Sequence, residues 1–450
     1  MDARDVRLDS ALSRRLVERA RALAPLGSLS ADAVELDAPA LEALEQLAQR
    51  LANTYPYGEP RYVGQMLKPP HPVAWAAYAM TMLLNPNNHA LDGGPATAAM
   101  EHEVVAALAG ALGREGALGH LTSSGTIANL EALWVARELH PGAPILVGEN
   151  AHYTHLRMCE VIGAPAETLP QDDRGRLDLG ALEQRLAAGG VGTVVATLGT
   201  TSLGALDQLH EIAPLCARHG ARLHVDAAYG GFYALLPDGV DPLPFAALAA
   251  ADSIVIDPHK HGLQPYGCGC VLFADPAVGR LYAHDSPYTY FTSSALHLGE
   301  ISLECSRAGA GAAALWATLQ AIPATRAGLG ELLAQSRAAA VELAAALASA
   351  GVALVVAPEL DIVCPFPAGV PASRVSEISE RAFASLARDG WHAAKLRVRT
   401  SWLRERHPGL TPDAQEVTTL RLVLMKPSHR AVVPELAGAL AEHLATAGAC

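Results

Sequence analysis

Lysine is scarce in this sequence of 450 residues: Lys68, Lys260, Lys395 and Lys426 are the only four among 33 basic side chains. No apolar run approaches the 18 or more residues that a membrane-spanning helix needs. The longest, Val73 to Leu84, has 12 and is closed by Asn85 and Pro86, so membrane insertion is not expected. The first residues, Met1, Asp2, Ala3, Arg4 and Asp5, carry neither the basic start nor the apolar block of an export signal, and a cytoplasmic location is expected. The seven cysteines are odd in number, form no disulfide framework and suit a reducing compartment. Cys268 and Cys270 are too close for an ordinary disulfide and lack the second pair of a zinc site, so they read as small buried strand residues, and no metal is expected. A net charge of −13 argues against nucleic acid, which needs a basic face. No G-x-G-x-x-G follows the first strand and no G-K-S or G-K-T occurs, which sets aside dinucleotide and P-loop readings. A small molecule is the expected partner.

Half the residues are apolar, enough for two or three domains with a large core. Residues 1 to about 60 read as amphipathic helix, with Leu12, Leu16 and Ala20 on one face and Leu41, Leu44, Leu47 and Leu51 in a second stripe. Neither stripe finds partners within this segment, so an arm packed elsewhere on the protein or on a second subunit is expected. From about Met100, helical stretches alternate with the apolar runs Ile145 to Val147, Thr193 to Leu198, Arg222 to Val225 and Ser253 to Ile256. This alternation is the pattern of a parallel sheet covered by helices. Gly269 to Phe273 follows after only about a dozen residues without helical periodicity, so it is expected to pair antiparallel. The alanine-rich helical region beyond Ala308 is broken by Ile322, Pro323 and Ala324, and mixed strands and helices follow. The expected division is an arm at 1–60, a large domain at 61–320 and a smaller α+β domain at 321–450.

In an open parallel sheet, ligands bind beyond the carboxyl ends of the strands, so the residues after each run form one set. Thr122, Ser123, Ser124, Gly125 and Thr126 lead into a helix and offer hydroxyls, N–H groups and the positive helix end to a phosphate, although an ordinary N-cap looks the same. His152 follows the next run; His155, three residues on, is a weak metal signal with no clear third ligand. Gly199, Thr200, Thr201 and Ser202 form another hydroxyl cluster. Asp226 ends the Arg222 run, where a buried carboxylate must be paired. Lys260 stands 34 residues later, in Asp257, Pro258, His259, Lys260, His261. A buried amine there suits Schiff-base chemistry, against the plainer reading of a lysine reaching for solvent. A phosphate turn, a flat imidazole, an acid and a lysine together fit pyridoxal 5′-phosphate.

The strings TSSGTIANLEAL, ENAH, ATLGTTSLGALD, LHVDAAYGG, DPHKHG and SLECSR occur in the same order as in the group II pyridoxal-phosphate-dependent amino acid decarboxylases, which they resemble over roughly residues 60 to 320. The resemblance implies an α/β, aspartate-aminotransferase-like (fold type I) large domain with a mainly parallel seven-stranded sheet. It also implies a homodimer with active sites at the interface, and decarboxylation of an L-amino acid to an amine and carbon dioxide. Lys260 would be the Schiff-base lysine and Asp226 the partner of the pyridine nitrogen. Ser124, Gly125 and Thr126 would hold the phosphate, and His152 would stack on the ring. Thr201 and Ala228 would line it, and His259 would sit against the cofactor. Asp257 stands where some members carry asparagine.

One departure bears on the product. Members that decarboxylate cleanly place a tyrosine on a loop shortly before the segment matching SLECSR, and the simplest alignment puts none at that place. Tyr288, Tyr290 and His297 lie near it, and Tyr290 is assigned here as the general acid. Loss of that acid in similar enzymes favours oxidative deamination to an aldehyde, and a non-catalytic binding protein of the same fold is a further alternative. Tyr62, Gln65, Met66, Lys68, Asn88 and His89 occupy the region that lines the substrate pocket in similar enzymes, and so mixed a set selects no one side chain.

Overall fold

The computed structural model describes residues 37–89, 91–236, 238–283 and 302–445. A seven-stranded sheet forms its centre: β1 (Leu118–Thr122), β2 (Ile145–Gly148), β3 (Ala166–Leu169), β4 (Thr193–Thr197), β5 (Arg222–Asp226), β6 (Ser253–Ile256) and β7 (Gly269–Phe273). Their spatial order is β1-β7-β6-β5-β4-β2-β3. Strands β6, β5, β4, β2 and β3 run parallel, whereas β7 is antiparallel to both β6 and β1, as the short helix-free connection after Lys260 requires.

Alternate residues of each strand enter different hydrophobic layers, which is why the central strands read as unbroken apolar runs. Leu146, Val194, Val225, Ile254 and Leu272 face one layer. Ile145, Val147 and Val195 face the other with Val255, Val271 and Phe273. Strands β1 and β3 are absent from the sequence reading because both lie at sheet edges. His120 interrupts β1, and β3 buries only Leu169. Helix Thr154–Ile162, also unforeseen, has only nine residues.

The alanine-rich region divides into helices Gly309–Ala321 and Glu331–Ser349, broken at Ile322, Pro323 and Ala324 as expected. Beyond it, β8 (Val352–Leu354) pairs antiparallel with β10 (Pro365–Pro367), while β9 (Ile362–Val363), β11 (Ala394–Arg399) and β12 (Glu416–Val423) form an antiparallel sheet in the order β11-β12-β9. Leu343, Leu347, Ile378, Leu386, Leu420 and Leu436 form its core with Val63. Val63 belongs there because its N–H donates to the His392 carbonyl at 2.9 Å and its own carbonyl accepts the Val423 N–H at 2.8 Å. The chain thus ties residues preceding the large sheet to the C-terminal one.

Helix Ala38–Leu51 starts at Asp37, whose carboxylate accepts the Ala40 N–H at 3.0 Å. It buries none of its residues; Leu41, Leu44, Leu47 and Leu51 are each at least half exposed. Leu12, Leu16 and Ala20 lie outside the described residues. Among the described residues, no helix is long and apolar enough to cross a membrane.

Candidate active site

Strands β5 and β6 are parallel neighbours, with Asp226 in register with Val255, so the residues following both strands emerge side by side at one sheet edge. Asp226 is buried at the end of β5. Its Oδ2 lies 2.8 Å from Nε2 of His155, and its Oδ1 accepts the Ala228 N–H at 3.1 Å. Burial alone would push this carboxyl up. The His155 hydrogen bond and charge, Lys260 and the Ala228 N–H together outweigh that penalty and hold it well below the usual carboxylate range. Lys260 follows β6 in a tight turn and places Nζ 3.0 Å from Asp257 Oδ2. The lysine and the aspartate therefore converge on one region.

His152 joins them. Its Nδ1 lies 2.7 Å from the Thr154 hydroxyl. Burial lowers its pKa, with Lys260 and His155 adding to the effect and Asp226 and Asp257 opposing it, so the ring is neutral and flat at neutral pH. His259 donates from Nδ1 to the Cys268 carbonyl at 2.7 Å, which turns Nε2 to within 3.5 Å of Asp257 Oδ2. Burial lowers its pKa too. Cys268 and Cys270 are buried free thiols, as small strand residues should be.

The serine-rich turn faces the same place. Ser124 caps helix Gly125–Leu139, its Oγ accepting the Ile127 N–H at 3.3 Å. Thr122 steadies the turn by donating to the Ser124 carbonyl at 2.9 Å. Gly125 is required because a Cβ there would fall 2.4 Å from Asp257 Oδ2, so the first helical turn packs directly on the Lys260 segment. Thr126 occupies the next position of that turn and is half-buried. The unpaired N–H groups of a helix start suit a phosphate. Asp257 Oδ1 and His155 Nδ1 are also buried without partners. A helix start that opens on glycine, a lysine, an ionised buried acid and a neutral imidazole fit pyridoxal 5′-phosphate.

Ala228 is buried and bridges the two strand ends: its N–H serves Asp226, and its carbonyl accepts the Asp257 N–H at 3.3 Å. Thr201 is exposed, and its carbonyl is held by the Arg421 guanidinium. Arg421, on β12 and buried, also donates to the Ser202 carbonyl at 3.2 Å and to the Gly64 carbonyl at 3.4 Å. Tyr288, Tyr290 and His297 lie outside the described residues.

Several side chains take parts that sequence reasoning missed. His155 is the partner of Asp226; its spacing from His152 suggested a metal ligand, and only the fold brings it to a carboxylate 71 residues away. Asn88 is buried, its amide donating to Glu101 Oε2 at 2.8 Å and accepting from the Thr97 hydroxyl at 2.6 Å. Tyr62 is buried beneath Lys426, whose Nζ sits 5.3 Å over its ring. Lys68 is partly buried. It donates to the Met425 carbonyl at 3.3 Å, and burial lowers its pKa to about 8 against the opposing pull of Asp361.

Residues 57–364 match the pyridoxal-dependent decarboxylase conserved domain. A probable L-tyrosine/L-aspartate decarboxylase of Methanothermobacter thermautotrophicus is 31% identical over 313 residues, spanning 68% of this chain and 83% of that one. Among solved structures, mouse CSAD superposes with a TM-score of 0.78 at 23% identity, covering 96% of this chain and 91% of that one. Oryza sativa TDC with PLP and tryptamine superposes at 0.77 and 18% identity, covering 97% and 98%.

Proposed function

Because the chain belongs to the pyridoxal-dependent decarboxylase family and is a pyridoxal 5′-phosphate-dependent amino acid decarboxylase of fold type I, we propose that Lys260, Asp226, His152 and the Ser124–Thr126 turn form its active centre. The observation that carries this assignment is the convergence of Lys260 and an ionised, buried Asp226 at adjacent strand ends. Pyridoxal phosphate, when bound, supplies an electron sink for the pair released as the substrate carboxylate leaves.

The chain's own residues divide the remaining tasks. Lys260 would hold the cofactor covalently until the substrate amine replaces it. Asp226, kept ionised by His155, would keep a proton on the ring nitrogen. His152, neutral and flat, would cover one ring face. Ser124, Gly125 and Thr126 would bind phosphate, while Thr201, Ala228 and His259 would line the pocket. Tyr290 is the proposed proton donor to the carbon that loses carbon dioxide. The substrate is an L-amino acid, and tyrosine and aspartate, for which the Methanothermobacter relative is named, are the first candidates.

The proposal extends to organisation. A second hydrophobic core, drawn from 339–444 except for Val63, supports a separate smaller domain at 321–450, after an arm at 1–60 and a cofactor-binding domain at 61–320. The uncovered leucine stripe of helix Ala38–Leu51 supports a homodimer in which a second copy buries it. Free buried thiols support a cytoplasmic location.

The test is a screen of L-amino acids for carbon dioxide and amine release by the purified holoenzyme. Lys260→Ala should lose turnover by orders of magnitude and no longer be fixed to its cofactor by borohydride. Turnover like that of the wild type would refute the assignment, and aldehyde in place of amine would refute the role of Tyr290.

A further inference from the structure

Away from the active centre, loops of the large sheet and the C-terminal segment enclose a cleft of about 410 Å³ that shares no residue with the proposed cofactor site. Arg174, Arg176, Arg337 and Arg406 line it, against the carboxylates of Asp241 and Glu359. A concentration of cations is unexpected in a chain of net charge −13. Both carboxylates are already engaged. Glu359 accepts the Leu206 N–H at 2.7 Å and pairs with Arg176, and Asp241 caps a helix by accepting the Leu243 N–H at 3.0 Å. Arg406 reaches Asp173 at 2.8 Å. Arg337 is left differently: its Nε donates to the Gly239 carbonyl at 3.0 Å, while its Nη1 is buried without a partner. A guanidinium stays charged at every physiological pH, so Arg337 puts a positive charge at the wall of the cleft that neither lining carboxylate answers.

We propose that this cleft is a second ligand site that takes a small dianion, a phosphate ester or dicarboxylate, gripped by Arg337 and Arg174. The volume lies at the lower end of small-molecule pockets, and planar guanidinium forks match paired anionic oxygens. The site is wired to the active centre. Tyr233 and Asp361 are close enough to Arg337 to oppose the lowering of its pKa by burial. Asp361 accepts the Tyr229 hydroxyl at 2.6 Å, and its Oδ2 lies 3.5 Å from His261 Nε2. Tyr229 stands three residues after Asp226, and His261 directly follows Lys260. An anion on Arg337 is therefore felt at both strand ends, and occupancy changes turnover.

The experiment uses holoenzyme with excess pyridoxal phosphate, so that the phosphate turn of the active centre is already filled. Inorganic phosphate and, separately, succinate are titrated at constant ionic strength, with binding followed by calorimetry and by the thermal midpoint. At least one should bind saturably, raise the midpoint and change kcat, the two arms separating phosphate from carboxylate recognition. Arg337→Gln should weaken that binding about tenfold or more while leaving the cofactor absorbance unchanged. Arg174→Gln, at a side chain 55% exposed, makes the same test if the first variant fails to fold. Binding in Arg174→Gln equal to that of the wild type, or a midpoint shift that chloride reproduces, overturns the proposal.

Discussion

His155 Nε2 lies 2.8 Å from Asp226 Oδ2, and both side chains are buried. The contact joins the start of helix Thr154–Ile162 to the end of β5 and fixes the charge state of the acid.

Replacing His155 with leucine removes a hydrogen bond to a charged group, worth about 1.5–3 kcal/mol. The expected result is a fall in kcat of roughly 10–100-fold with folding retained. Single-turnover absorbance and steady-state rates check this, and an unchanged kcat would show that Asp226 needs no partner.

The same contact sets a pH dependence of stability. The folded pKa of Asp226 lies below its ordinary value of 3.8. Its contribution is therefore complete above that value and is lost as the pH falls through the lower folded value. Thermal midpoints should fall more steeply below about pH 4 in the wild type than in Asp226→Asn. Parallel acid profiles would contradict this.

Asp257 places a carboxylate against the helix end that the phosphate turn occupies. Asp257→Asn removes that negative charge, an effect of about 1 kcal/mol at a helix N-terminus, and should tighten cofactor binding by about fivefold. Fluorescence titration of the cofactor-free protein measures it. Weaker binding would mean that holding Lys260 is the carboxylate's larger contribution.

Glu101 and Arg307 form a buried pair at 2.7 Å, and Glu101 also accepts the Leu121 N–H at 3.0 Å just before the phosphate turn. Arg307→Met strands a buried carboxylate and should cost about 3–5 kcal/mol. Denaturant midpoints would show the loss, and Glu101→Gln in the same chain should recover part of it.

Glutamate at Leu44 and Leu47 together, on the uncovered helix, should halve the mass seen by sedimentation at fixed concentration. An unchanged mass would overturn the proposed burial of this stripe by a second copy.

The strand ends were legible in the sequence because Asp226 and Asp257 each close an apolar run where a parallel sheet gathers its ligands, with Lys260 three residues beyond the second. The partner of Asp226 was not, since no local pattern links His155 to it. Arg421 left a fainter trace as a charge inside the apolar run of β12, where a buried guanidinium needs acceptors that only the fold supplies. Asn88 reads as a pocket residue because the region it occupies lines the substrate pocket in similar enzymes. Its amide instead answers Glu101 and Thr97, and that requirement arises only once the chain has folded.

The backbone of Ala228 ties the two strand ends together, its N–H donating to a carboxylate oxygen of Asp226 and its carbonyl accepting the Asp257 N–H. Because Ala228 contributes only main-chain atoms to that link, replacement of its own side chain does not erase it. Substrate preference is free to drift through changes in the surrounding loops while the separation that the chemistry needs passes unaltered from one variant to the next.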